Sequence, residues 1–449
     1  MDEEILVEWN PWWTDDFEID YVDRDIQKRL IQWLDRKEIV PITGCRRAGK
    51  TTLMYMTINH LLVDVDEENI LFVKCDDERV EDEDLIESAR KKHKEMFDPE
   101  GRIYLFLDEI QELEGWDKTV KRIYDLEEKT KIFLSGSRLL KSELSSALAG
   151  RFIYFDVYPF SFREFLKAKN IEWKDRAEFL SKSTKIKHNL REYLQWGGFP
   201  EIVLEDDEEK KKELLRFYSD SILYRDVIKR SGIKKPEKVE KLKSYLLSNF
   251  TNLLNYTKIA NHLGVTSDTI SSYIHQMEES YFFFSIPMFS YSIKKQQFNP
   301  KKIYCIDNGI RNSVGFKFID DIGRLYENSV FLELKRNNDE IYYWRDQDME
   351  VDFLIKQDDS VKELIQVCYD VSSAGEREEN SLLHGLKEFD LQKGFVITGD
   401  TRKEIEIDGK KVKYVPLWEW LSSCSFDTSL KDADYNTDLE DQFVLKYIP

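Results

Sequence analysis

A chain of 449 residues is about two to three times the length of a typical domain, and its 41% hydrophobic and 13% aromatic content supplies apolar surface for two or three separate cores. Its 67 basic residues against 87 acidic ones leave a net charge of −20, so a disordered chain and a generally basic nucleic-acid coat protein are both excluded. No apolar run approaches the roughly 18–20 residues of a membrane helix, and Asp2, Glu3 and Glu4 stand where a signal peptide would be basic and then apolar; a cytoplasmic protein with no membrane partner is expected.

Residues 1–24 form an acidic extension with no base before Arg24, and Trp9, Trp12 and Trp13 predict that it docks on the body. Over 25–160 the apolar runs Ile39–Thr43, Ile70–Lys74, Ile103–Asp108, Lys131–Gly136 and Ile153–Val157 alternate with helical stretches, the pattern of an α/β fold with a parallel sheet covered on both faces. Ser161 with Glu164 is a capping box that opens a helical lid over 161–235. Over 236–305, Tyr256–Leu263, a turn at Gly264 and Ser267–Ser280 have helix-turn-helix spacing, and a strand-like aromatic stretch, Tyr281–Phe298, follows; a winged helix is expected. Over 306–425 a helix at Tyr326–Arg336 precedes strands at Ile341–Trp344, Val351–Ile355, Glu363–Cys368 and Phe395–Thr398, a second, smaller α/β unit. Residues 426–449 read as an acidic tail. Cys45, Cys75, Cys305, Cys368 and Cys424 are scattered, with no C-x-x-C pair, so neither a disulfide framework nor a zinc site is indicated.

Gly44-Cys45-Arg46-Arg47-Ala48-Gly49-Lys50-Thr51, followed by Thr52, fits G-x-x-x-x-G-K-[ST] between a strand and a helix. Glycines let backbone N–H groups turn around phosphate oxygens, the helix N-terminus adds positive potential, Lys50 reaches the β- and γ-phosphates, and Thr51 ligates Mg2+. The strand Ile103–Asp108 ends in Asp108, which would hold magnesium through water, and Glu109, placed as general base for the attacking water. Ser135 and Ser137 at the end of the next strand can touch the γ-phosphate or that water. No guanine-reading N/T-K-x-D motif occurs, so the expected cofactors are ATP and Mg2+.

These segments, with Leu107-Asp108-Glu109-Ile110-Gln111, Gly150-Arg151 and Pro159 to Phe165, resemble the prokaryotic, mainly archaeal AAA-type ATPases that carry a winged helix and a PD-(D/E)xK nuclease-like domain. The resemblance covers roughly Val40 to Phe389. It implies ATP hydrolysis, a homo-oligomer, and an arginine completing the site from the same or an adjacent subunit; Arg151 is the candidate, with a structural ion pair as the alternative. It also implies a nuclease-like site at Glu327, Asp352 and Gln366. There Gln366 replaces an acid and Cys368 stands where lysine belongs, so the domain is expected not to cut DNA, unless Lys356 or Lys387 supplies the missing cation. The second helix of the helix-turn-helix carries Asp268, Glu278 and Glu279 and no base, while Ser267, Thr269, Ser271, Ser272 and Gln276 could contact DNA and Lys294, Lys295, Lys301 and Lys302 flank the wing. DNA contact and docking on a protein surface both remain open. An ATP-driven switch engaging DNA or a protein is the leading expectation, with an ATP-regulated endonuclease and a purely protein-directed signalling module as alternatives.

Overall fold

The computed structural model describes residues 1–14, 17, 19–137, 148–315, 322–338 and 340–422; the tail 426–449 and Cys424 lie outside them. Strands β1 (Val40–Thr43), β2 (Ile70–Lys74), β3 (Ile103–Asp108), β4 (Thr130–Gly136) and β5 (Phe155–Asp156) form a parallel sheet in the order β2-β3-β4-β1-β5. β1 and β4 are buried at every position, and β2 and β3 at all but one, which is why their centres are continuous apolar runs rather than alternating. β4 lies between β1 and β3, so the loop after β1 and the acids ending β3 approach each other across the end of β4.

The N-terminal extension docks as expected. Helix Glu3–Trp9 and the turn Pro11–Trp13 lie against the edge strand β2, where the Asn10 side chain donates to Phe72 O at 2.9 Å and accepts from Phe72 N–H at 2.6 Å. The Trp13 indole donates to Ile70 O at 3.1 Å. These contacts cover an edge that would otherwise invite pairing with another chain.

Ser161 and Glu164 form the capping box of helix Phe162–Ala168. Glu164 also holds the N-terminal segment: Arg24 Nε pairs with it at 3.0 Å, while the same guanidinium donates to Ala48 O in the loop after β1 at 2.9 Å and to Tyr158 O at 2.7 Å. Both side chains are about 5% exposed. Arg24→Ala would strand a buried carboxylate and two carbonyls, and we expect it to cost about 3–5 kcal/mol in urea unfolding, the range for breaking a buried ion pair.

The lid continues through helices Ser183–Trp196 and Glu208–Ser221, the latter running into a π-helical segment, Ile222–Lys229. Helices Pro236–Ser248, Tyr256–Leu263 and Ser267–Glu279 follow, with Gly264 supplying the left-handed turn (φ +64°) between the last two. Strand β6 (Phe283–Ile286) then pairs antiparallel with β7 (Lys302–Cys305). The strand expected to run to Phe298 stops at Ile286; Ile293–Phe298 is helical, because Ser292 caps it by accepting from Lys295 N–H and its Lys and Gln residues favour helix over strand.

Helix Ile322–Asn337 leads into β8 (Ile341–Asp346), β9 (Met349–Gln357) and β10 (Ser360–Cys368), then helix Val371–Glu388, β11 (Lys393–Thr398), β12 (Lys403–Ile407) and β13 (Lys410–Pro416). They form one mixed sheet in the order β12-β13-β11-β10-β9-β8. One face of this unit packs into a cluster largely its own, with Trp344, Leu364, Leu382 and Leu386, and the other shares its core with the lid. Phe162, Phe165 and Tyr193 of the lid are buried in one cluster with Phe331, Phe353 and Trp418.

Candidate nucleotide site and a carboxylate centre

β1 ends at Thr43 and helix Lys50–Leu61 begins six residues after Gly44. Gly44 must be glycine: at φ +142° a Cβ would fall 2.1 Å from Val157 O. Lys50, 4% exposed, bends back over the loop and donates to Gly44 O and Cys45 O, both at 3.1 Å, with Glu109 Oε1 3.9 Å away. Thr51 Oγ1 donates to Asp108 Oδ2 at 2.9 Å, and the Ser135 hydroxyl donates to Asp108 while accepting Glu109 N–H at 3.0 Å. Lys50, Thr51, Asp108, Glu109 and Ser135 are therefore one connected cluster, as expected from their spacing. Cys45 and Ala48 are buried within the loop, and burial pushes the Cys45 thiol up to about 12, so it packs rather than reacts. Thr52 is exposed, and Arg47 is half exposed against Glu201 at 3.4 Å.

The two acids differ electrostatically. Burial pushes Asp108 up to about 6 against the pull of its Ser135 and Thr51 hydrogen bonds. Burial also pushes Glu109 up, but Lys50, Gln111 and Arg46 outweigh it and hold this carboxyl below its ordinary value. Thr51 and Asp108 present adjoining hard oxygen donors and are the residues that would hold Mg2+. Because a proton on Asp108 competes with the ion, the apparent affinity for Mg2+ in the presence of ATP should weaken toward tenfold per pH unit below about 6 and level off above it. Titration of the metal at fixed nucleotide between pH 5 and 8 checks this.

Ser137 and Arg46 lead to a residue that motif reading did not single out. Asp226, in the π-helical segment and 1% exposed, takes Arg46 Nε at 3.0 Å on both oxygens and the Ser137 hydroxyl at 3.3 Å. Arg230, just beyond that segment, pairs with Glu112 at 3.0 Å. The lid thus grips the loop after β1 and the ends of β3 and β4. The available signal was an acid, beside Arg225, inside a helical run that is otherwise rich in apolar residues, Ile222 to Ile228.

Arg151 is not brought to this cluster. Ile39 N–H donates to Arg151 O at 2.8 Å, at the far end of β1 from Gly44, about 16 Å of strand away. Its guanidinium pairs with Asp125 at 3.1 Å and lies over Tyr124. The expectation of an arginine finger acting within the chain is corrected to the surface ion pair.

In the C-terminal unit, Glu327 on helix Ile322–Asn337, Asp352 on β9 and Gln366 on β10 do converge. Asp352 N–H donates to Gln366 Oε1 at 3.1 Å, and the Gln366 amide donates to Glu378. Lys302 Nζ joins Asp352 at 2.8 Å and Glu327 at 3.3 Å. Burial pushes Glu327 and Glu378 each up to about 7. The two lysines considered as replacements are elsewhere, Lys356 on Glu340 at 2.9 Å and Lys387 on Asp408 at 2.7 Å. The Cys368 thiol donates to Asp370 O at 3.5 Å and is pushed up to about 11 by burial.

On the helix-turn-helix, Asp268, Ser271 and Ser272 are exposed, whereas Gln276 is taken by Ser231 at 2.5 Å and Glu278 by Ser285 N–H at 3.0 Å. Lys294 and Lys295 are exposed and Lys302 is buried, so of the four lysines expected to flank a wing two are exposed.

A parallel sheet ordered 2-3-4-1-5, with a phosphate loop after β1 and an Asp-Glu pair across β4, defines a P-loop AAA-type ATPase fold, and residues 36–166 match the AAA domain family. Residues 187–320 and 322–420 match two domains of unknown function, DUF8612 and DUF4143. The chain belongs to the family of the uncharacterized protein MJ1544 of Methanocaldococcus jannaschii, with 34% identity over 419 residues, 89% of this chain and 90% of that protein. An uncharacterized protein of Haemophilus influenzae is 32% identical over 404 residues, 87% of this chain and 96% of its own. Among solved structures, the Walker-type ATPase PABY2304 of Pyrococcus abyssi aligns with a TM-score of 0.45 at 14% identity, over 66% of this chain and 96% of its own. AMPPCP-bound DnaA from Aquifex aeolicus aligns with a TM-score of 0.25 at 19% identity, over 60% and 92%. Among the described residues no helix is long and apolar enough to cross a membrane.

Proposed function

We propose that the protein hydrolyses ATP with magnesium and couples its nucleotide state to engagement of DNA or a protein partner through the helix-turn-helix and C-terminal units. The observation that carries this reading is the convergence of Lys50, Thr51, Asp108, Glu109 and Ser135 in one buried cluster at the carboxyl end of the sheet. Magnesium would supply charge neutralisation for the β- and γ-phosphates. Lys50 orients the phosphates, Glu109 accepts the proton of the attacking water, and Ser135 holds Asp108 and the Glu109 backbone in register. Arg46 and Arg230 both bring positive charge to Glu109, and the pairing of Arg46 with Asp226 ties the lid to whatever the loop binds. Coupling to the rest of the chain uses a direct contact: the Tyr281 hydroxyl donates to Asp156 at 2.5 Å and lies 3.0 Å from Thr43 Oγ1, the last side chain before the phosphate loop.

The test is phosphate release from ATP by the purified chain, with magnesium or with EDTA, and with duplex or single-stranded DNA at increasing salt. The expected result is magnesium-dependent turnover whose rate DNA changes at low salt and ceases to change at high salt. Absence of magnesium-dependent turnover removes the ATPase assignment. Turnover indifferent to DNA at every salt leaves protein partners as the coupled ligand.

A further inference from the structure

Lys302 opens β7, in the ribbon that follows the helix-turn-helix, yet its side chain is 5% exposed and enters the C-terminal unit. Its ammonium nitrogen lies 2.8 Å from Glu350, 2.8 Å from Asp352 and 3.3 Å from Glu327. An ammonium has three N–H donors and no acceptor, so three carboxylates use its whole capacity. The oxygens have further partners. Tyr304, two residues on and on the same face of the strand, donates its hydroxyl to Glu327 at 2.8 Å, and Val367 N–H donates to Asp352 Oδ2 at 3.0 Å.

A nuclease-like centre requires these same carboxylates to ligate a divalent ion at about 2.0–2.1 Å with positions left for water and phosphate. Here the point they share is taken by nitrogen. Among the described residues no group of three His, Cys, Asp or Glu side chains is arranged to hold a metal ion. The residues present therefore do not fit the metal that the resemblance implies.

We infer that the carboxylate centre of the C-terminal unit is closed by the Lys302 ammonium in the cation's place, and that it works as a joint between the β6–β7 ribbon and the C-terminal sheet. Lys302 pairs in register with Ile286 at the end of β6, while Tyr281, two residues before β6 begins, is bonded to Asp156 and Thr43 beside the phosphate loop. The ribbon and the residues leading into it thus have an anchor at each site. A displacement at the end of β1 would have this route to the carboxylate centre, where the lysine supplies positive charge to the carboxylates but leaves no open coordination position. The inference concerns the C-terminal centre and the ribbon that enters it, and stands whether or not ATP is hydrolysed at the phosphate loop.

Two measurements on the full chain test it. Manganese binding is followed by electron paramagnetic resonance without nucleotide, comparing wild type with Asp352→Asn, alongside incubation of both with supercoiled DNA and manganese. Equal manganese stoichiometry and no nicking by either protein is the expected result. A bound ion, or nicking, that is present in wild type and lost in Asp352→Asn would overturn the inference and make Lys302 the lysine of a working nuclease. In the second measurement, urea midpoints are compared for Lys302→Met and for Lys302→Met combined with Asp352→Asn. Removal of the ammonium leaves buried carboxylates uncompensated, so the double variant should unfold at higher urea than the single one. A double variant that unfolds at the same or lower urea overturns the joint.

Discussion

Glu109→Gln should leave ATP bound and slow its hydrolysis by at least about a hundredfold, the lower end of what a positioned general base contributes. The substitution keeps shape and removes only basicity. Glu109 sits at the end of β3 in a left-handed conformation (φ +51°), its N–H fixed by Ser135 and its carboxylate beside Lys50 and Gln111. Lys50 and Arg46 hold its carboxyl below the ordinary value, so it is ionised throughout the neutral range and ready to accept a proton. Glutamine keeps an acceptor oxygen for the water but cannot take the proton. The check is equilibrium binding of a fluorescent ATP analogue together with phosphate release: unchanged affinity with the rate lost supports the assignment. Hydrolysis at the wild-type rate would assign the base elsewhere.

Lys50→Ala should abolish measurable nucleotide binding, a loss of at least about a hundredfold, which is the effect of removing a desolvated charge worth roughly 3 kcal/mol to the phosphates. In the structure Lys50 lies across the loop on the carbonyls of Gly44 and Cys45, and its buried ammonium is 3.9 Å from Glu109. Alanine leaves those carbonyls and Glu109 without it, so the phosphates of ATP would meet an acidic pocket. Calorimetric titration with ATP, together with circular dichroism to show that the variant is folded, makes the measurement. ATP bound with wild-type affinity would show that this lysine does not reach the phosphates.

What the sequence made legible follows from how local the determinants were. The phosphate loop needs only a strand, two glycines, a lysine and a helix in succession, and the capping box at Ser161 and Glu164 is a four-residue pattern; both are found as expected. The insertion of β4 between β1 and β3 is a property of strand pairing and leaves no trace in either strand. Long-range charge pairs were equally opaque. Arg46 and Asp226 are 180 residues apart, and Arg24 and Glu164 are 140 apart, so neither partner advertises the other. Lys302 shows how composition misleads. Among Lys294, Lys295 and Lys301 it reads as one more wing lysine, but strand alternation puts it on one face with Tyr304, and that face meets Glu327 and Asp352. Arg151 was misleading within its own chain for the opposite reason: one strand beyond the serines in sequence, it lies at the end of β1 away from the phosphate loop in space.

Single-turnover hydrolysis tests the central claim most directly. Enzyme in excess is mixed with trace radiolabelled ATP and magnesium, and bound ATP, bound ADP and released phosphate are resolved over time for wild type and Glu109→Gln. Both proteins should bind the ATP, wild type should convert it to ADP and phosphate, and Glu109→Gln should hold it as ATP. Wild-type protein that binds ATP and never cleaves it, or that binds none, would contradict the claim.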